Sequence, residues 1–426
     1  MTIDPVALAE STLAQMTAAG FDDSQVSVSV SEQDELNIAH NEASLLRSTE
    51  DYSVSLAGIK DGRKAATSLT AITPEAIASA VAALAERVQS APVDDSNAVS
   101  ADQVASFEQG PLSSDLDLLA DKAGELLDFR AAQAAKVTVE ESAIAHRVTR
   151  SHELTSRGTS LSSTVGSFDL SVMCTATDGD KSSSFNYTGG RANDLRQKSA
   201  EHWFGVGEML VDTQNQIEAR ALESRFTGEV ILAPTAVSDL VGWLLAQLGT
   251  QALIAGASVY KDKVGELIAS PELSLRSCFD APGHVPYTVD GFKAAPIDLI
   301  EGGRLTTLLL DFYGSRKTGL PHTPSTSGWR IDPGPDSRAD LIQSVKRGAL
   351  VTRFSMGSPA ANGDFSGVIK NSFLIENGAV GAALAETMVA GNMAQMLRDI
   401  SGISTEHVDY GGEDFPWLRI PGMHFS

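Results

Sequence analysis

The sequence predicts an α+β fold: an N-terminal α+β part with small antiparallel sheets and helices, followed by a β-rich C-terminal domain. Three observations carry this. Capped helical stretches alternate with period-2 strands up to about residue 222. After Arg225 the texture changes to a buried-looking strand and one uncharged helix. Beyond that helix the chain breaks into short strands punctuated by Gly, Pro, Asn-Gly and Asp-Gly. At 426 residues it exceeds the roughly 250 to 300 residues at which single cores stop growing. The expected division is an α+β module over 1–100, a second over 101–222 and a β-rich domain over 223–426.

Asp4 and Pro5 read as N-cap and first helical residue, and Gly20 as the residue beyond the helix end, which bounds a first helix. Val26, Val28 and Val30 alternate with serines, the signature of a half-buried strand. Asp61-Gly62 marks a hairpin, and Thr73-Pro74-Glu75 caps a second helix running to about Gln89. The polar segment over 90–102 reads as a linker. "SSDLDLLADKAGELLDFRAAQAA" is helical, three alternating stretches follow as strands with a turn at Asp178-Gly179, and a helix is expected from about Asn193 to Gln214. In the third part, "GEVILAP" reads as a strand and "NMAQMLRDI" as a short helix.

Composition removes several function classes. Thirty-two basic against 55 acidic residues give a net charge of −23, which repels phosphate backbones and anionic lipid, so nucleic acid is not an expected partner. Cys174 and Cys278 show no ladder of spacings, which argues against a disulfide scaffold and for a reducing, cytoplasmic setting. The N-terminal stretch lacks a positive n-region and a continuous apolar core, so no secretory signal is read there. From Leu240 to Tyr260 there are 21 uncharged residues, long enough to span a bilayer. Gln247, Thr250 and Gln251 sit at its middle with no flanking Lys/Arg cluster, so a buried or interface helix is expected instead of a membrane span.

Catalytic signatures are sparse. No two histidines have the i, i+4 spacing that sends two imidazoles off one helix face, and His146 and His152 are expected to be surface strand residues. "SHELTSR" (151–157) contains a His-Glu pair, but the second histidine of an H-E-x-x-H falls at Ser156, so a hairpin connection is expected there. No G-x-S-x-G, P-loop or dinucleotide fingerprint is present. The segment "DFYGSRKTGLPHTPSTSGW" (311–329) is the most loop-like candidate: Asp311, Tyr313, Arg316 and Lys317 put a basic spot beside aromatic and backbone donors in an acidic protein. Such a spot suits a peptide carboxylate or a partner's acidic side chain.

Four ordered stretches, "SVYKDKVGELIAS" (258–270), "GGRLTTLLLDFYGSRKTGL" (302–320), "GDFSGVIKNSFLIENGAV" (363–380) and "ETMVAGNMAQMLRDI" (386–400), resemble signature stretches of the TldD/PmbA family, once labelled modulators of DNA gyrase. The resemblance implies one of two branches. TldD-type chains carry H-E-x-x-x-H on the helix before V-G-E-x-x-A-S and a C-terminal cysteine, which together hold zinc. TldE/PmbA-type chains lack the motif and pair with a TldD subunit in a heterodimeric metallopeptidase. Here no histidine lies between His202 and His284, no glutamate between Glu229 and Glu266, and the C-terminal stretch has no cysteine. Trp243, Leu244 and Leu248 fall where a catalytic relative would place His, Glu and His.

The resemblance thus implies a TldE/PmbA-like subunit with no cofactor and no catalytic or metal residue of its own. It would shape a peptide cleft and support a zinc-bearing TldD-type partner in intracellular proteolysis of small or unfolded peptides. Trp243, Asp311, Tyr313, Arg316 and Lys317 are the partner- or substrate-facing candidates. The alternatives are a free-standing scaffold of the same fold and, with least support, an independent hydrolase with a relocated site.

Overall fold

The computed structural model describes residues 4–325 and 328–426. Helix α1, Pro5–Ala18, starts where Asp4 accepts a 3.0 Å hydrogen bond from the Val6 N–H. Strand β1, Asp23–Ala39, pairs antiparallel with β2, Glu42–Lys60, so that Val26 faces Leu56 and Val28 faces Val54. Asp61 and Gly62, both at positive φ, turn the chain into β3, Arg63–Leu69, as a two-residue hairpin requires. Thr73 caps α2, Pro74–Ser90, accepting from the Ala76 N–H at 3.2 Å.

The next segment adds β4, Val104–Gln109; α3, Leu116–Gln133; β5, Val137–Thr155; β6, Ser160–Asp178; β7, Lys181–Ser182; and β8, Asn186–Ala192. The main path of the sheet runs β3-β2-β1-β5-β6-β4, with β7 and β8 on β6. Because β1 pairs with both β2 and β5, strands from either side of residue 100 share one sheet. Val26, Val28, Val54, Leu56 and Leu154 pack with α1 and α2 into one buried cluster. Successive strand residues point to opposite faces, so the register partners Ser27, Ser55 and Glu153 lie on the other face.

Three expectations need correction here. His146 and His152 are buried, 3% and 5% exposed, because β5 is an interior strand whose helix-side face is covered. The His152-Glu153 pair lies within β5 and only the residues after Thr155 form the turn. The expected helix over 193–214 is two short 3-10 turns, Leu195–Gln197 and Ala200–His202, and an α-helix only from Val206: Phe204 and Gly205 take positive φ, which interrupts any α-helix, and α4 spans Val206–Asn215. Strand β4 was absent from the sequence reading, being a short run paired parallel to β6.

The C-terminal half is built on a second, mixed sheet. Strand β9, Phe226–Leu232, lies between the parallel strand Arg347–Val351 and the antiparallel strand Glu413–Phe425. Helix α5, Pro234–Leu248, packs Val237, Leu240, Leu244 and Leu248 into the core above them. The uncharged stretch is not one helix: Gly249 is extended at φ −82°, ψ 163°, and α6 covers only Thr250–Ile254. No described helix is long and apolar enough to cross a membrane. Both cysteines are free and buried.

Beyond α6, Leu309 N–H donates to the Leu248 carbonyl at 2.9 Å and leads into α7, Phe312–Thr318, capped by Asp311 and ended by Gly319 at φ +73°. The expected loop over 311–329 therefore begins as a helix, and its residues 326 and 327 lie outside the described ones. Helix α7 sits tightly on α6. A Cβ on Gly314 would fall 2.4 Å from Thr250 Oγ1 and 2.9 Å from Leu310 Cδ2. Gly314→Ala should therefore lower the unfolding free energy by about 1–3 kcal/mol through overpacking, read as a lower urea midpoint. An unchanged midpoint would mean that α7 can lift off α6 without cost.

Candidate functional site

Trp243 projects from α5 into the C-terminal core, 6% exposed. Its Nε1–H donates to the Ala360 carbonyl at 3.3 Å and its ring meets Tyr260 edge-on at 6.0 Å. Leu244 and Leu248 are fully buried beside it. These three side chains present carbon and a single N–H donor, and no lone pair that zinc could use. The donor set does not fit the metal. Among the described residues, no group of three or more His, Cys, Asp or Glu has a metal-binding arrangement. Burial also pushes the neighbouring Tyr260 hydroxyl up to about 12, so it stays a neutral phenol.

The other four predicted residues come together on and before α7. Asp311 Oδ1 accepts from Gly314 N–H at 2.6 Å, and its own N–H donates to Thr250 Oγ1 at 3.1 Å. Tyr313 Oη and Lys317 Nζ both reach Asp94 Oδ2, at 2.9 and 2.8 Å. The Arg316 guanidinium donates to the carbonyls of Asp95 and Ser96, at 3.0 and 3.1 Å. The basic spot is thus turned onto the chain's own 94–96 segment. Lys317, helped by the Ser96 N–H and Tyr313, holds the Asp94 carboxyl well below the usual carboxylate range, and the same contact raises the pKa of Lys317.

This clamp closes one side of a cleft of about 530 Å³. Its floor is the serine-bearing face of β1, β2 and β5, and its roof is the segment over 285–290 with the start of α7. Gln25 Nε2–H donates to the Val289 carbonyl at 2.7 Å, tying the two halves across the opening. Tyr287 Oη lies 3.2 Å from Ser163 Oγ. Asp290 is held at both oxygens, by the Thr288 hydroxyl and by the Phe312 N–H at 2.8 Å. A second cleft of about 560 Å³ shares Tyr287, Val289 and Asp290 and continues past His284 and His322. His322 stacks edge-on against Phe292 at 4.6 Å, with Nε2 3.7 Å from Asp290 Oδ2.

Glu153 lies in the floor of the first cleft and was passed over in the sequence. It is 3% exposed and its Oε1 has no hydrogen-bond partner. Burial pushes its carboxyl up to about 8, only partly offset by Gln25 and Ser27, while Asp290 adds to the rise. The group is therefore mostly protonated at neutral pH, able to donate a hydrogen bond or to release its proton when a cation arrives. The sequence signal available was alternation: Glu153 shares the face of Ser27. Its burial depends on the roof, more than a hundred residues downstream, which no local pattern reveals.

The raised carboxyl has a consequence for stability. The folded state binds this proton more tightly than the unfolded chain, whose glutamate titrates near the ordinary 4.5. The resulting stabilisation is full below that value and is lost as pH rises through about 8. Urea titrations at pH 5, 7 and 9 should show a fall on the order of 3–5 kcal/mol from this one group. In Glu153→Gln that component should vanish, leaving the variant more stable than the parent at pH 9. Parallel pH profiles for the two proteins would show that Glu153 is not the buried titrating group.

Comparison with known proteins places this geometry in context. Residues 226–426 match the family described as PmbA/TldA metallopeptidase C-terminal domain. The metalloprotease PmbA of Escherichia coli O157:H7 is 27% identical over 264 residues, covering 58% of this chain and 56% of that protein. The match thus spans little more than half of that relative's length. The crystal structure of TldE from Thermococcus kodakarensis superposes with a TM-score of 0.81 at 20% identity, covering 98% of this chain and 100% of that one. A Bacteroides thetaiotaomicron structure, described as a candidate modulator of DNA gyrase, gives 0.84 at 19% identity, covering 100% and 99%. At these identities the structures establish a shared fold.

Proposed function

Starting from a chain whose residues 226–426 form a C-terminal domain of the PmbA/TldD family, we propose that this protein is the TldE/PmbA-type subunit of a heterodimeric metallopeptidase. In this reading it shapes the peptide cleft and supports a TldD-type partner that holds the zinc. The observation that supports the reading is the α5 core: Trp243, Leu244 and Leu248, which the family resemblance would align with the His, Glu and His of a zinc-binding relative, are packed apolar side chains. A core built this way keeps the fold without the metal, since well-packed apolar side chains need no ionic partner. The bond cleavage then belongs to the partner's metal, and this chain's task is to bind and position.

Further parts of the proposal follow from the same reading. The substrate is a small or unfolded peptide, for which the paired clefts roofed by the segment over 285–290 offer an elongated, polar-floored space. The setting is cytoplasmic, supported by two free, buried cysteines. Residues 1–100 and 101–222 act as two halves of one sheet-bearing unit, and 223–426 as the domain common to the family. Trp243 contributes through packing, while Asp311, Tyr313, Arg316 and Lys317 act by fixing α7 and the cleft edge.

Co-expression with a TldD-type chain bearing H-E-x-x-x-H is the test. The expected outcome is a stoichiometric heterodimer with peptidase activity that a chelator abolishes, and zinc present in the pair but not in this chain purified alone. Persistent failure to associate would favour a free-standing scaffold of the same fold. Tightly bound stoichiometric zinc in the isolated chain would overturn the assignment of the metal to the partner.

A further inference from the structure

We propose that the cleft above Glu153 is a binding site for an alkylammonium or guanidinium group, such as a lysine or arginine side chain of a bound peptide, with the Glu153 carboxylate as counter-ion. The choice of peptide as the carrier rests on the function proposed above. The site itself rests on geometry.

Glu153 is 3% exposed, forms none of the chain's ion pairs among the described residues, and leaves Oε1 without a partner in a polar cleft. A buried carboxyl with one oxygen left unpartnered is a standing cost to the fold. The β-sheet does not need it: β5 holds its register through backbone pairing on both sides, and the neighbouring positions on this face, Ser27, Ser55 and Ser151, are small hydroxyl residues. Unpartnered buried acids of this kind gather at binding sites.

The groups that face Glu153 give the site its sign. From β1 come Gln25 and Ser27, the former committed to the Val289 carbonyl. The roof contributes the Tyr287 hydroxyl and Asp290, and the start of α7 contributes Asp311 and Tyr313. Lys64 of β3 is the one cation lining the cleft among the described residues, and it makes no ion pair with Glu153. Even with Glu153 protonated, Asp290 and Asp311 against one ammonium leave the cleft anionic. The carboxyls are not grouped as a metal site would need, and the oxygens of Asp290 are already taken by Thr288 and Phe312. A diffuse organic cation, held by one desolvated carboxylate with hydroxyl and amide neighbours, fits these donors better than a divalent ion.

Entry of a cation favours the ionised form of Glu153, so one proton should leave as the ligand binds. The adjoining cleft past Val289 gives the rest of a peptide somewhere to lie. Val289 itself is 94% exposed beside the opening.

The test uses the full chain alone and isothermal titration calorimetry with acetyl-Gly-Lys-Gly-amide, its arginine analogue and its norleucine analogue. The lysine and arginine peptides should bind at least about tenfold more tightly than the norleucine peptide. Glu153→Gln, which keeps size and hydrogen-bonding capacity, should erase that difference. In buffers of different ionisation enthalpy, the wild-type chain should release close to one proton per lysine peptide at pH 7 and essentially none at pH 9.5. Equal affinities for the three peptides, a preference that survives Glu153→Gln, or binding without proton release would each overturn the proposal. So would Glu153-dependent binding of calcium chloride, which would make the cleft a metal site. The partner subunit does not enter this assay, so failure here leaves the heterodimer reading standing, and failure to find a partner leaves this result standing.

Discussion

The contact of Thr250 with the bare Cα of Gly314 fixes α7, the helix that carries the clamp on residues 94–96. Helix α5 ends at Gly249, α6 restarts at Thr250, and the Thr250 hydroxyl both touches Gly314 and accepts the Asp311 N–H. That places α7 against α6 with no room to slide. Everything α7 holds is then positioned with it: Tyr313 and Lys317 on Asp94, Arg316 on the carbonyls of Asp95 and Ser96, and the Phe312 N–H on Asp290. The N-terminal sheet is gripped through a segment that composition alone marked as a linker. The exposed ion pair in this grip adds little by itself; the hydroxyl, the backbone donors and the packed glycine make it specific.

The apolar packing of Trp243, Leu244 and Leu248 on α5 has a counterpart elsewhere in the chain. Where α5 buries only carbon and one indole N–H, the sheet does the reverse at Glu153, placing a carboxyl under a roof. The first is favourable burial of apolar surface; the second costs stability that only a ligand would return.

Local chemistry was legible in the sequence and long-range burial was not. Asp4-Pro5, Thr73-Pro74 and Asp61-Gly62 act through their own backbone neighbours, and each marks the boundary it was expected to mark. The valine-serine alternation of β1 likewise reports a two-faced strand. The breaks at Gly249 and at Phe204-Gly205 fall at glycines inside otherwise helix-compatible runs, where a glycine alone does not decide between a helix interior and a break. The surroundings of His146, His152 and Glu153 come from segments distant in sequence: Pro111 and Phe168 for His146, α1 for His152 and the roof over 285–290 for Glu153. The failed H-E-x-x-H pattern around Glu153 carries no information about its burial, which strand β5 and the cleft decide.

The central position of β9 bears on how the chain is made. Its neighbour Glu413–Phe425 arrives late in the sequence, and the Arg419–Glu229 ion pair that joins them spans 190 positions. Until then Val230, Ile231 and Leu232, all fully buried in the finished protein, have an open hydrogen-bonding edge on a growing polypeptide. Such an edge is a template for pairing with other chains. During synthesis this edge therefore stays unpaired until the last strand of the chain has emerged.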